Sequence, residues 1–382
     1  MLEMNLGMDE GNKRINRIAY IRPASWPPAN ESVLISLQKQ FPQAEIDVIT
    51  IMEILKKQPA FLILNSLSAI FHYGGNILSQ RIDLRRAFQR TTKFFDYTSH
   101  LIRERLSKKD YLFSFQIQSI FDGSLLGLPH FVYTDHTHLA NLLYPSFDRR
   151  KLLPETWIQR EKAIYENARI VFTRSAHITN SVISQYSIPA GKVKCVYYGA
   201  NVPNHSELDP DRYARKNILF VGINWQRKGG DDLLKAFELV LNTHFDATLT
   251  IVGSSPVVNL PNVKVIGRVP IEEMNKYYEQ ASIFCLPTTL EPSAVAYIEA
   301  QSFRLPLVVT NIGAAPDLIV NGENGYLVDV HNPTQLAIAL IRLLDDPHLC
   351  EQMGNAGYER THEIYNWDSV AKRMKAQILA SL

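Results

Sequence analysis

A chain of 382 residues is long enough for two or three domains with sizeable cores, and its 46% hydrophobic and 20% charged residues exclude a disordered or fibrous protein. The formal net charge of +2 conceals an asymmetry: residues 1–200 hold 25 Lys and Arg against 17 Asp and Glu, whereas residues 201–382 hold 15 against 21. A basic first half points to an anionic partner, nucleic acid or a membrane surface. Cys195, Cys285 and Cys350 lie far apart with no C-x-x-C pair, which argues against a disulfide scaffold or zinc site and fits a reducing cytosol. Met1–Lys13 carries Glu3, Asp9 and Glu10 and has no apolar run, unlike a signal peptide. The most apolar early stretch, Phe61–Phe71, is 11 residues long, too short to span a bilayer. The expectation is a cytoplasmic chain, soluble or peripheral on the inner face of the membrane.

In chain order, Arg17–Ile21, Glu45–Ile51, Tyr111–Phe115, His130–Thr134, Ile170–Thr173 and Val193–Tyr197 read as strands. Helical patterns fall at Ser32–Phe41, Trp157–Ala168 and His177–Tyr186, and a long helical insertion without strand signals occupies residues 56–109. Within it, Arg81–Lys109 holds nine basic residues against three acidic ones, interleaved with Phe88, Phe94, Phe95, Tyr97, Leu101 and Ile102. That composition suits an amphipathic helix on an anionic leaflet, each surface cation adding about 1 kcal/mol. A solvated helical face is the plainer alternative, and no recognised nucleic-acid motif accompanies it.

The polar stretch Asn201–Asp211 reads as a domain boundary. Beyond it, Asn217–Gly222, Ala247–Gly253, Val263–Gly267, Ser282–Pro287, Pro306–Thr310 and Gly325–Val328 are continuously apolar, as in a parallel sheet buried on both faces. Asp231–Leu241, Ile271–Ala281 and Ala294–Phe303 have helical period. The expectation is α/β: residues 1–200 form an N-terminal domain, 201–365 a second one, and 366–382 a helix that crosses back to the first. Two doubly wound domains would face a cleft, with ligands at the carboxyl ends of the strands.

Two segments carry chemistry. In Leu290–Leu305 (LEPSAVAYIEAQSFRL), Glu291 follows a strand, Pro292 sets up a helix start, and Glu299 lies two turns into the helix. The amides of Ser293, Ala294 and Val295 would sit at a helix N-terminus, suited to phosphate. Glu291 would accept bonds from sugar hydroxyls and Glu299 from a second pair such as a ribose diol. Two glutamates eight apart are common on any charged surface, so the weight rests on their position between a buried strand and an apolar helix. In Phe220–Lys235 (FVGINWQRKGGDDLLK), a strand ends at Gly222 and a loop brings Arg227 and Lys228 before Gly229–Gly230. Adjacent cations at a strand end suit a diphosphate; the alternative is a solvated loop.

With Val308–Val328 (VVTNIGAAPDLIVNGENGYLV), Tyr198–Val202 (YGANV) and Tyr365–Val370 (YNWDSV), these segments resemble the nucleotide-sugar-binding domain of family 4 of the retaining glycosyltransferases, the group 1 enzymes of GT-B fold. The resemblance covers residues 170–375 and implies two Rossmann-like domains. It also implies that Lys228 and Arg227 neutralise the donor diphosphate and that Glu299 holds the ribose. Glu291, with the amides of Ser293 to Val295, would bind the transferred sugar, and the base would lie near Gly267, Arg268 and Val269. In Tyr133–His138 (YTDHTH), His136 aligns with a cleft histidine that meets the donor, with Asp135 or His138 in support. The chain departs from the family's pattern in three ways. Ile223 stands where many members have an arginine, Ser293-Ala294 replaces Phe-Gly, and Ile21–Ala29 lacks a glycine-rich loop.

The implied activity is retaining transfer of a hexosyl unit from a nucleotide diphosphate sugar to a carbohydrate or lipid-linked acceptor. The leaving phosphate would act as base, so no metal and no cofactor beyond the donor substrate is required. A nucleotide-sugar epimerase of the same fold would need acid–base carboxylates from both domains, and the first half offers no clear candidate. A catalytically degenerate binding protein is the other alternative. A nicotinamide dehydrogenase is the least favoured reading because no G-x-G-x-x-G follows a strand.

Overall fold

The computed structural model describes residues 16–25, 27–201 and 208–382. The first sheet comprises β1 (Arg17–Arg22), β2 (Glu45–Thr50), β3 (Phe113–Ile117), β4 (His130–Thr134), β5 (Ile170–Thr173) and β6 (Val193–Cys195). It is wholly parallel, in the order β2-β1-β3-β4-β5-β6. The second comprises β7 (Asn217–Val221), β8 (Thr248–Val252), β9 (Val263–Gly267), β10 (Ile283–Leu286), β11 (Leu307–Thr310) and β12 (Gly325–Val328). It too is parallel, ordered β12-β11-β10-β7-β8-β9. β3, β4 and β10 are buried at every position, polar residues included, because helices cover both faces of each sheet.

Helices of the first half are α1 (Ala29–Gln40), α2 (Ile51–Leu55), α3 (Pro59–Leu78), α4 (Leu84–Gln89), α5 (Thr92–Leu106), α6 (Glu155–Asn167) and α7 (Ala176–Ser184). The second half has α8 (Gly230–Leu241), α9 (Met274–Gln280), α10 (Val295–Ser302), α11 (Ala315–Leu318), α12 (Pro333–Asp345), α13 (Pro347–Ile364) and α14 (Trp367–Ser381). The α14 helix packs against α1 and β5, where Val370, Met374 and Ile378 share a core with Val33, Leu37 and Phe113. Trp367 Nε1 donates to Asn201 Oδ1 at 3.0 Å.

Several expectations need correction. β3 starts two residues later than the sequence suggests. Its polar Gln116 is fully buried in the sheet and donates to the carbonyls of Gln118 and Phe121. β6 stops at Cys195, and Tyr197 has φ 65°, incompatible with continuing the ladder. Ile271–Ala281 divides into a 3₁₀ turn and the shorter α9.

The apolar stretch around Phe61–Phe71 belongs to one helix of 20 residues, α3, long and apolar enough to cross a membrane by length and composition. The polar residues do not break it, because Asn65 turns inward to donate to Phe88 O at 2.8 Å and Ser66 bonds back to Leu62 O. One side of α3, with Asn65, Ser68, Ala69 and Tyr73, is buried; Ile63, Leu64, Leu67, Ile70, Phe71 and Leu78 are exposed. The aromatics of Arg81–Lys109 behave the opposite way from the sequence reading. Phe94 and Phe95 are buried and Phe88 and Tyr97 half-buried, packed into the domain and not presented as a lipid-facing set. Met1–Lys13 and most of the boundary stretch Asn201–Asp211 lie outside the described residues.

Candidate active site

In the second sheet the chain leaves β7 toward β8 and returns to β10 on the opposite side, so a crevice opens between the carboxyl ends of β7 and β10. The loops after these strands face each other across it. Lys228 Nζ lies 2.6 Å from Glu291 Oε2, and both side chains are nearly buried. Arg227 Nη1 donates to Leu290 O at 2.9 Å, and the carbonyl of Arg227 accepts bonds from Thr288 and Thr289, lacing the loops together. Gly229 sits at φ 75°, where a Cβ would lie 1.8 Å from Pro287 O, so glycine alone fits this turn.

Glu291 is fixed at both ends. Its Oε1 accepts the amide of Ala294 at 3.0 Å, and its carbonyl accepts the amide of Ala314 at 2.9 Å. The Ala294 amide is therefore occupied by Glu291, which revises the expectation of three amides open to a ligand at this helix start. Ser293 and Val295 line the cleft, whereas Ala294 is buried at φ 52°, a left-handed conformation that explains why a glycine suits this position. On α10, Glu299 Oε2 accepts the Tyr278 hydroxyl at 3.0 Å. Burial drives the Glu299 pKa up to about 7, the tyrosine hydroxyl working in the opposite direction.

From the first domain, the loop after β4 brings Asp135 and His136 to the cleft. Burial pushes His136 down to about 4, and its Nδ1 is buried without a partner among the described residues. The neutral ring thus keeps an unused polar atom. His138 does not support His136: its Nε2 accepts the Leu153 amide at 2.7 Å, a structural bond, and burial lowers its pKa to about 3. The support comes from Glu161 on α6, which the sequence did not reveal. This buried carboxylate accepts bonds from Ser119 Oγ, the His138 amide and the Tyr186 hydroxyl, while Ser119 and Thr134 also bond the His136 carbonyl. Burial raises the Glu161 pKa.

One cleft of about 720 Å³ joins Asp135 and His136 to Arg227, Lys228, Glu291 and Glu299. Ile223 links it to a second hollow of about 560 Å³ lined by Trp225, Gly253–Pro256 and Arg268. The carbonyl of Gly267 accepts the Gly253 amide at 2.7 Å, and Ser254 Oγ is buried without a partner among the described residues. Val269 packs against the core and is not part of the hollow's lining.

Sequence reasoning also missed what the Gly-x-x-Pro-Asp segment does physically. Gly313 sits at φ 56°, and a Cβ there would lie 2.0 Å from Glu291 O and 2.9 Å from the Tyr144 hydroxyl. Asp317 Oδ2 accepts the Ala176 amide of α7 at 2.7 Å, and Ser175 Oγ donates to Pro292 O at 3.1 Å. These bonds tie the first domain directly to the loop that carries Glu291.

The family model "Glycosyl transferases group 1" matches residues 215–346, from the approach to β7 through α12. An uncharacterized glycosyltransferase of Methanocaldococcus jannaschii is 29% identical over 231 residues, 54% of this chain and 59% of its own. The D-inositol 3-phosphate glycosyltransferase of Corynebacterium diphtheriae is 27% identical over 244 residues, 56% and 57% of the two chains. The chain thus spans less than two thirds of the length of these relatives. Among solved structures, sucrose-phosphate synthase from Thermosynechococcus elongatus has a TM-score of 0.69 at 17% identity, covering 96% of this chain and 100% of that one. Anabaena HepE in complex with UDP-glucose has a TM-score of 0.63 at 14% identity, with the same coverage. These structures share the arrangement of two parallel-sheet domains across a cleft. Residues 215–346 thus resemble the group 1 glycosyl transferases, and the two parallel-sheet domains across the described residues have the GT-B fold.

Proposed function

We propose that the chain transfers a hexosyl unit from a nucleotide diphosphate sugar to an acceptor hydroxyl with retention at the anomeric carbon. The observation that carries this reading is the Lys228–Glu291 pair at the crevice between β7 and β10, with Glu299 one helix face away. An ammonium has three donors, and Glu291 takes one, leaving Lys228 able to meet the diphosphate alongside Arg227. Glu291 is held ready for sugar hydroxyls, Glu299 for the ribose diol, and the hollow beside Arg268 and Ser254 has room for the base. His136, held neutral at physiological pH by burial, lines the cleft where it can meet the donor sugar.

In the reaction the anomeric C–O bond to the diphosphate breaks as the acceptor oxygen bonds the same face of that carbon. The acceptor's proton passes to the leaving phosphate oxygen. Lys228 and Arg227 stabilise the negative charge that builds there, so catalysis is positioning plus electrostatics.

The acceptor side of this reading is a lipid-linked molecule at an anionic cytoplasmic surface. Its support is the exposed stripe Ile63, Leu67, Ile70, Phe71 and Leu78 on α3, with Arg81, Arg85 and Arg86 following it. Incubation with radiolabelled nucleotide sugars and a lipid extract tests the whole reading, product anomer being assigned by NMR. Lys228→Ala is expected to lower transfer about 10²-fold, the scale of one lost oxyanion donor. An inverted product would refute retention, and an epimerised sugar released without acceptor would mark an epimerase.

A further inference from the structure

The donor reading uses one wall of the cleft. The opposite wall is built by the end of α3, by α4 and by the turn before α6, and it carries cations with no task in that reading. Arg81, Arg86, Arg90 and Lys151 line the same cavity as Glu291 and Lys228, and Asp135 is the acidic group on their side. Arg86 has an exposed surface pairing with Asp83 at 3.2 Å, which is weak in water. Arg81, Arg90 and Lys151 have no carboxylate within ion-pair distance among the described residues.

Arg90 is the most telling of them. Its guanidinium lies 4.7 Å over the Trp157 ring, and its Nη1 is buried with no hydrogen-bond partner among the described residues. The Tyr73 hydroxyl donates to its carbonyl at 2.8 Å and fixes the backbone there. The Glu161 and Asp135 carboxylates act on this buried guanidinium only from beyond ion-pair distance, so an incoming anion whose oxygens meet its idle N–H groups is favoured. A planar guanidinium stacked on an aromatic ring presents its edge in a fixed direction, which suits the oxygens of a phosphate.

We propose that this wall is the acceptor subsite and that it selects an acceptor carrying a phosphate close to the hydroxyl that receives the sugar. The inference rests on the donor reading for its geometry: the acceptor lies between the Arg81–Arg86–Arg90 wall and Glu291. The shared chemistry fits a phospholipid headgroup or a free polyol phosphate.

The test is calorimetric titration of protein saturated with UDP, using glycerol 3-phosphate against glycerol. Wild type is expected to bind glycerol 3-phosphate and not glycerol. The double variant Arg81→Gln/Arg86→Gln is expected to bind glycerol 3-phosphate at least tenfold more weakly with UDP affinity unchanged. Arg90→Lys, which keeps the charge but loses the fork, is expected to lose severalfold, its fold checked by thermal melting. Equal binding of glycerol and its phosphate, or a double variant that binds as wild type does, overturns the proposal while leaving the donor reading standing. Failure of UDP to bind overturns the donor reading instead, and the same phosphate titration without UDP still decides whether this wall holds an anion. Competition by phosphatidylglycerol vesicles, but not by phosphatidylcholine vesicles, assigns the phosphate to a lipid; binding of the soluble probe without such competition assigns it to a free polyol phosphate.

Discussion

A carboxyl with a pKa near 7 is half protonated at neutral pH, and burial puts Glu299 in that condition. If Glu299 holds the ribose as proposed, its hydroxyls bond the ionised form more strongly than the protonated one, so nucleotide affinity is expected to rise, by up to about tenfold, from pH 6 to pH 8. Folding has the opposite sign. The folded state holds this proton more tightly than the unfolded chain, so its contribution to stability is present below the unfolded carboxyl range and lost as pH rises through about 7. Calorimetry with UDP across that range checks the first effect, and Glu299→Gln is expected to bind weakly with a flat profile. A slope that survives the substitution would place the titrating group elsewhere. Glu299, Glu291 and Lys228 could be found in the sequence because Gly229–Gly230 and Pro292 mark abrupt turns beside buried strands. Glu161 could not, since its importance comes from partners supplied by other elements, and it has no local spacing that would single it out.

At the level of elements, the decisive contact is between the turn after β11 and the carbonyl of Glu291. Gly313→Ala would set a methyl 2.0 Å from that oxygen at a positive φ, so the turn must shift and carry Glu291 with it. The expected result is a loss of at least about 2 kcal/mol in denaturant unfolding, from backbone strain and displaced packing together, with weakened donor binding. A variant as stable and active as the parent would show that the turn is free to move. The strands of both sheets were legible because unbroken Val, Ile and Phe runs admit few other readings. The apolar stretch Phe61–Phe71 reads as shorter than α3 because Asn65, Ser66 and Ser68 interrupt its hydropathy, although Asn65 serves an internal bond. Its outer stripe yields a further prediction: Leu67→Gln with Phe71→Gln is expected to cut co-sedimentation with anionic vesicles at least fivefold and to leave UDP binding unchanged. Undiminished sedimentation would remove α3 from the membrane reading.

For the molecule as a whole, the domains meet through specific polar bonds as well as shared packing. The Asp317 carboxylate caps the start of α7, and Ser175 bonds the carbonyl beside Glu291, so any rotation of one domain on the other is felt at the loop that carries Glu291. If the proposed nucleotide contacts lie in the second domain, Asp317→Ala is expected to reduce kcat severalfold through impaired closure with little change in UDP affinity. Stopped-flow closure kinetics and UDP calorimetry would separate the two, and a pure loss of UDP affinity would argue against a closure role. The return of α14 to the first domain has a different consequence, for how the protein is made. Val370, Met374 and Ile378 complete a core otherwise built from residues before position 200, so the first domain to leave the ribosome cannot close its core until the chain has been synthesised through α14. Its apolar face against β5 stays uncovered while the second domain folds, and during that interval the growing chain depends on chaperones or on rapid completion to avoid aggregating.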